Sequence, residues 1–296
     1  MQADDGPADD GASPRRIAVV GNINADHIYR LHGTLAPGQE ILVKDLGLRL
    51  GGSGANAGSW LAVAGDEVHL FGRVGRDDRG RHILAQAEAY PWDQSSTLLH
   101  DGPTNHCMIL IDESGDRTIL GFDRDTVEAA FPSLDPYSLD ALYFASARAV
   151  PNNVARVLTE SQLPVVAQLH CANRLPYCDI VVASDQNFGD AEGEDWWGAL
   201  SRRDIDTRWL VVTLGARGAW ATDGTDVLTV PITRAPRVID TTGAGDAFAA
   251  GLVCAVARGW SIKAALTLGS QWGADAVSLL ASGCPPDHEP NTTLLR

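Results

Sequence analysis

Short apolar runs recur along this chain, and segments able to form helices alternate with them. IAVV (17–20), ALYFA (141–145), DIVVA (179–183) and RWLVVTL (208–214) carry little or no alternation of wet and dry positions. Runs of that kind are strands buried on both faces. EVHLFGRV (67–74) and PVVAQL (164–169) extend the series. RGRHILAQAEAY (79–90), NNVARVLTESQ (152–162), AFAAGLVCAVARG (247–259) and SIKAALTLGSQWGADAVSLL (261–280) predict helices. The rhythm implies an α/β fold, a mainly parallel central sheet flanked by helices. The 296 residues, 45% of them hydrophobic, suit one large domain, expected over residues 15–296. MQADDGPADDGASP (1–14) is polar, acidic and rich in Gly and Pro, and reads as a disordered tail.

A second kind of strand stands apart. EILVKDLGLRL (40–50), HCMILID (106–112) and RTILGFD (117–123) mix polar and apolar residues at a period near two, and ESGD (113–116) turns between the last two. Strands wet on one face could form a small β lid over a site, within about 33–51 and 104–123.

The formal net charge of −15 argues against a nucleic-acid partner, which would need a basic footprint. No apolar run approaches the roughly 20 residues of a membrane span. No secretory leader is visible, and none of the five cysteines forms a C-x-x-C pair. Reduced, buried thiols and a cytoplasmic location are therefore expected.

Three stretches carry chemistry. In VIDTTGAGDAFAAG (238–251), Gly243, Ala244 and Gly245 open a helix. Small residues at a helix N-terminus present several N–H groups and the positive dipole end to one spot, an anion cradle. Asp246 adds a carboxylate at its edge, either a proton acceptor or a cap for the helix. GGSGANAG (51–58) is a second glycine-rich helix entry, without the Lys-Ser/Thr of a phosphate-binding P-loop. Asn56 within it is either a ligand contact or a cap. GNINADHI (21–28) sets Asn24 and Asp26 beyond the first strand, where α/β sheets bind ligands; an Asx turn is the alternative.

Taken together these stretches resemble the ribokinase-like (PfkB) family of carbohydrate kinases over about residues 16 to 290. GGSGANAG is similar to its first signature and DTTGAGDAFAAG to its second, with GRVGRDDRG (72–80) and VTLGARGAW (212–220) in the expected order. The resemblance implies a ribokinase-like three-layer fold and ATP-dependent phosphorylation of a small, ribose- or ketose-like sugar. Asp246 would be the base, and Gly243, Ala244 and Gly245 the anion hole. Asn24, Asp26, Gly52, Ser53 and Asn56 would hold the sugar; Thr213, Gly215 and Asn187 would line the ATP site. Asp240 and Thr242 would begin a monovalent-cation loop for K+, and Mg2+ would accompany ATP. The lid would be shared by two subunits of a homodimer.

The chain also departs from that pattern. Ser184 and Asn187 stand where the family has Asn and Glu, so Asp185 or Asp190 is a possible substitute. Ser53 replaces a lysine of ribokinases, and Ala147 or a neighbour a glutamate. Arg117 and Arg148 are either ligands for an anionic group or surface arginines. Other readings follow: a sugar-acid or nucleoside kinase, a catalytically weak sugar-binding protein on this fold, or a nicotinamide-dependent oxidoreductase built on Gly52, Gly54 and Gly58.

Overall fold

Ile17 and Val19 pack into one apolar core, and Ala18 and Val20 into a second on the opposite side. Strand β1 (Arg16–Val20) is therefore dry on both faces, which is why its sequence shows no polar alternation. The computed structural model describes residues 13–113, 117–122, 138–146, 163–189, 195–280 and 282–295. Its further strands are β2 (Asn24–Leu31), β3 (Val43–Gly51), β4 (Glu67–Phe71), β5 (Arg73–Gly75), β6 (Leu98–His100), β7 (His106–Ile111), β8 (Arg117–Gly121) and β9 (Ala141–Phe144). Then come β10 (Val165–Gln168), β11 (Cys178–Ser184), β12 (Thr207–Thr213), β13 (Ala219–Thr222) and β14 (Val227–Val230). Its α-helices are α1 (Ser53–Val63), α2 (Asp78–Ala87), α3 (Leu169–Ala172), α4 (Asp195–Ser201), α5 (Ala244–Ala257) and α6 (Ile262–Ala276). Most of the acidic stretch expected to be a tail, residues 114–116 of the ESGD turn, Ala147, Arg148, the helix expected over 152–162 and Asp190 lie outside the described residues.

The main sheet has eight strands in the order β14-β13-β12-β11-β10-β9-β1-β4. From β4 to β12 every pairing is parallel; β13 and β14 continue the sheet antiparallel. Trp60 of α1, Phe248 of α5 and Trp272 of α6 cover one face, and Cys171 of α3 and Trp196 of α4 the other. The result is the expected three-layer α/β arrangement. The chain leaves β1 toward β4 on one side and returns to β9 on the other. Ligands of open α/β sheets bind at the carboxyl ends of strands beside such a reversal.

A separate four-stranded sheet, β3-β2-β7-β8, carries the half-polar strands. It includes β2, which continues directly from the end of β1, so Asn24 and Asp26 lie in a strand of this small sheet and not in a turn. Ile28, Cys107, Ile109 and Ile111 form its own small apolar cluster.

At the amino ends of the parallel strands Asp66 and Arg258 form a buried pair, Nη2 to Oδ1 2.7 Å, with side chains 0% and 3% exposed. The Arg15 N–H donates to Asp66 and the guanidinium donates to the carbonyls of Cys254 and Ser13. The pair thus ties the chain before β1 to the loop after α1 and the end of α5. Removing one partner strands the other charge in the interior. Asp66→Ala is expected to lower unfolding stability by about 3–5 kcal/mol, read from the urea midpoint; a shift of a few tenths would refute it.

Candidate active site

Gly243 is the residue before α5, with φ 77° in the left-handed region. A Cβ placed there would lie 1.7 Å from the Ser282 carbonyl oxygen, so only glycine fits between this turn and the loop that follows α6. The turn is closed from below by Asp240, whose Oδ1 accepts from the Thr242 N–H at 2.8 Å. Thr241 O receives the Ala244 N–H at 3.4 Å. No side chain caps α5. The N–H groups of a helix's first turn have no partner within the helix, and here they belong to Ala244, Gly245 and Asp246. Gly245 is exposed.

Asp246 sits in that first turn, half-buried. Asn56 Nδ2 donates to its Oδ2 at 2.8 Å. Burial pushes the Asp246 carboxyl up to about 7, and the negative charge of Asp26 adds to the rise. The Asn56 hydrogen bond and the Arg117 cation work the other way. The group is thus set where it can take up a proton near neutral pH and release it again. Its alternative role as a cap fails, because Gly243 holds the cap position. Asn56 likewise lies inside α1, with Gly52 before it, and is no cap.

Asn24 and Asp26 are both buried. Asn24 Oδ1 has no hydrogen-bond partner among the described residues, and Cys107 Sγ donates to Asp26 Oδ1 at 3.0 Å. A Cβ on Gly51 would meet Asp26 Oδ2 at 1.9 Å, so the carboxylate occupies the space this glycine leaves. Gly52, in the left-handed region at φ 91°, turns the chain from β3 into α1, and Ser53 follows half-buried. The N–H groups of Gly54 and Ala55 donate to the Asn22 carbonyl at 3.1 and 3.2 Å. The first turn of α1 is therefore spent on the chain itself. Its glycine serves close packing: a Cβ on Gly21 would come within 2.6 Å of the Gly54 Cα. A dinucleotide pyrophosphate finds no cradle there, which counts against the oxidoreductase reading.

Farther along the sheet Thr213 ends β12, its hydroxyl donating to Ala183 O at 3.3 Å. Gly215 is exposed at φ 54°. Ser184 and Asn187 close a reciprocal cap on a short 3-10 turn, the Ser184 N–H donating to Asn187 Oδ1 at 2.8 Å. Asp185 is held by Arg217 Nη2 at 2.7 Å. The substituted motif has thus become a self-contained turn with an ion pair. No cluster of three or more His, Cys, Asp or Glu side chains is placed to hold a metal among the described residues.

Residues 14–286 match the pfkB family carbohydrate kinase. The chain belongs to that family. An uncharacterized sugar kinase of Archaeoglobus fulgidus is 28% identical over 71% of this kinase and 91% of its own length. A putative ribokinase from Agrobacterium tumefaciens superposes with a TM-score of 0.78 at 22% identity, covering 96% of both chains. Ribokinase of Arabidopsis thaliana, solved with ribose and ATP, superposes at 0.73 and 19% identity over 96% of this chain and 98% of that one. These likenesses establish the ribokinase-like fold.

The kinase site contains two groups that sequence reasoning left out or left open. Tyr143, fully buried in β9, accepts a hydrogen bond from Gln168 Nε2 at 2.9 Å. Burial raises its phenol well above the ordinary tyrosine range, with the Asp246 charge contributing. Its signal was one hydroxyl within the run ALYFA. Arg117, on β8, reaches across to donate to the Thr241 hydroxyl.

Proposed function

We propose that this kinase transfers the γ-phosphoryl group of ATP to a hydroxyl of a small ribose- or ketose-like sugar. The observation that carries the reading is Asp246: a carboxyl raised to about 7, held by Asn56, at the foot of the α5 N–H nest. The acceptor oxygen attacks the γ-phosphorus and its proton goes to Asp246. The bond to the β,γ-bridging oxygen breaks, and its electron pair leaves with ADP. Charge on the transferred group falls to the N–H groups of the nest; positioning and charge stabilisation account for most of such a reaction. Asn24 and Asp26, buried at the switch between β1 and β9, supply an acceptor and a carboxylate for sugar hydroxyls. Thr213 and Gly215 suit the nucleotide side.

The segment 184–190, in its described part, does not form a divalent-metal site, so Mg2+ is assigned to the phosphates of ATP, whose charge it neutralises. A monovalent cation fits better. Among the described residues Thr242 Oγ1 is buried with no partner, two residues from the buried Asp240 that accepts its N–H, and so is Ser282 Oγ on the loop that packs against Gly243. Unpaired buried oxygens next to a carboxylate are what K+ would satisfy. The self-capped Ser184–Asn187 turn favours a second reading, a sugar-binding protein with weak catalysis.

The test is ADP release with MgATP across pentoses, ketohexoses, sugar acids and nucleosides, with K+ or with Na+. Turnover stimulated by one sugar class and raised several-fold by K+ is expected. Sugar binding without any stimulated turnover would replace the kinase reading by the second one.

We further propose a homodimer through the lid. Leu42 and Val43 at its β3 edge, and Ile119, Leu120 and Phe122 at its β8 edge, are 42–73% exposed. Apolar edge strands invite pairing with a second copy. Sedimentation equilibrium is expected to give twice the 31.5 kDa chain mass; a monomer at micromolar concentration would refute it. All five cysteines are buried and none is in a disulfide, which suits a cytoplasmic location.

A further inference from the structure

Two arginines of the lid reach the loops that enclose Gly243. Arg49 of β3 donates from Nη1 to the Leu280 carbonyl at 2.6 Å, on the loop whose Ser282 packs against Gly243. Arg117 of β8 donates from Nη1 to the Thr241 hydroxyl. Thr241 also lends its carbonyl to the first N–H of α5, so this guanidinium stands at the rim of the nest itself. Asn56 of α1 contacts Asp246, and the groups near enough for their charge or dipole to act on it, or its charge on them, are Asp26 of β2, Tyr143 of β9 and Arg117 of β8. Arg117 is the one cation in that set. A chain of net charge −15 binding a polyanionic nucleotide needs positive charge at the point of transfer, and no Lys-Ser/Thr follows its glycines to supply it.

We propose that Arg117 is a catalytic residue carried by the lid: its guanidinium completes the anion nest of α5, so the transferred phosphoryl group is fully charge-stabilised only with the lid over the core. The inference rests on the kinase reading above. A planar guanidinium can donate to Thr241 through one nitrogen and to a phosphoryl oxygen through another, which a lysine cannot. Arg49 grips the same region but meets only a carbonyl, and so anchors the lid without adding charge to the nest.

The experiment compares Arg117→Ala, Arg117→Lys and Arg49→Ala with the wild type in kcat, KM for the sugar, and pH profile. Arg117→Ala is expected to lower kcat by about 10²-fold, the loss typical of one preorganised donor, and Arg117→Lys to recover part of it. Removing the cation also lifts the Asp246 carboxyl further, so the acid limb moves to higher pH and the deficit grows as pH falls. Arg49→Ala is expected to raise KM with the acid limb unmoved. Wild-type kcat in Arg117→Ala overturns the inference, as do equal losses in both alanine variants with an unmoved acid limb, which would make Arg117 a lid anchor. A wild type that turns over no acceptor overturns the kinase reading, and this inference with it.

Discussion

Asp246→Asn is expected to lower kcat by about 10²–10⁴, the contribution of a positioned general base, while sugar affinity changes little. Asparagine keeps the shape and can still meet Asn56, but it cannot accept the acceptor's proton. The wild-type pH profile carries the same information. A carboxyl pushed up to about 7 is protonated, and idle as a base, at lower pH. Activity should therefore climb through neutrality and level off above it. Stability runs in the opposite direction. The folded pKa lies above the unfolded one, so stability from the protonated form is complete below the unfolded value near 3.8 and is lost as pH rises toward 7. At pH above 7 the asparagine variant should melt several degrees higher than the wild type. Unchanged turnover in Asp246→Asn would remove this residue from the mechanism; a flat pH profile would remove it as the base.

Gly243→Ala should combine a catalytic and a structural loss. Its Cβ would stand 1.7 Å from the Ser282 carbonyl oxygen, and the contact is with backbone, which cannot swing aside as a long side chain would. The φ of 77° adds strain for any residue with a Cβ, of order 1 kcal/mol or more. Relief requires moving either the turn that aims the N–H groups or the loop after α6. A fall in kcat of about 10²–10³ is expected from a displaced nest, together with a lower melting temperature. Wild-type kinetics with wild-type melting would show that the two loops do not define the nest.

Features made by neighbours in the chain were legible in the sequence. The nest at 243–245 and its carboxylate are one turn of backbone, and glycine, alanine and aspartate spell it out without help from the rest of the fold. Runs such as IAVV announce a strand dry on both faces for the same local reason. Asn56 is the contrary case. The family resemblance implies a sugar contact there; its amide also meets Asp246 across 190 residues, a pairing that only the stacking of α1 on α5 creates. Arg117 looked like a surface arginine or a ligand with no way to choose, since its target Thr241 is 124 residues away. The loss of the Asn and Glu near β11 was visible, whereas the closure of Ser184 and Asn187 on each other was not. Strand β2 hid because ladders with β3 and β7, not its own polar-rich sequence, hold it extended.

The knot at Asp66 and Arg258 has a practical corollary. Ser13 and Arg15 are fastened at the amino ends of the parallel strands, while the nest, Asn24 and Asp26 gather at the carboxyl ends. One five-residue strand separates the two poles, roughly 16 Å of rise. A tether or reporter grafted ahead of Ser13 would start from the pole opposite the nest. Immobilised that way on a sensor surface, the kinase would present the nest to the solution.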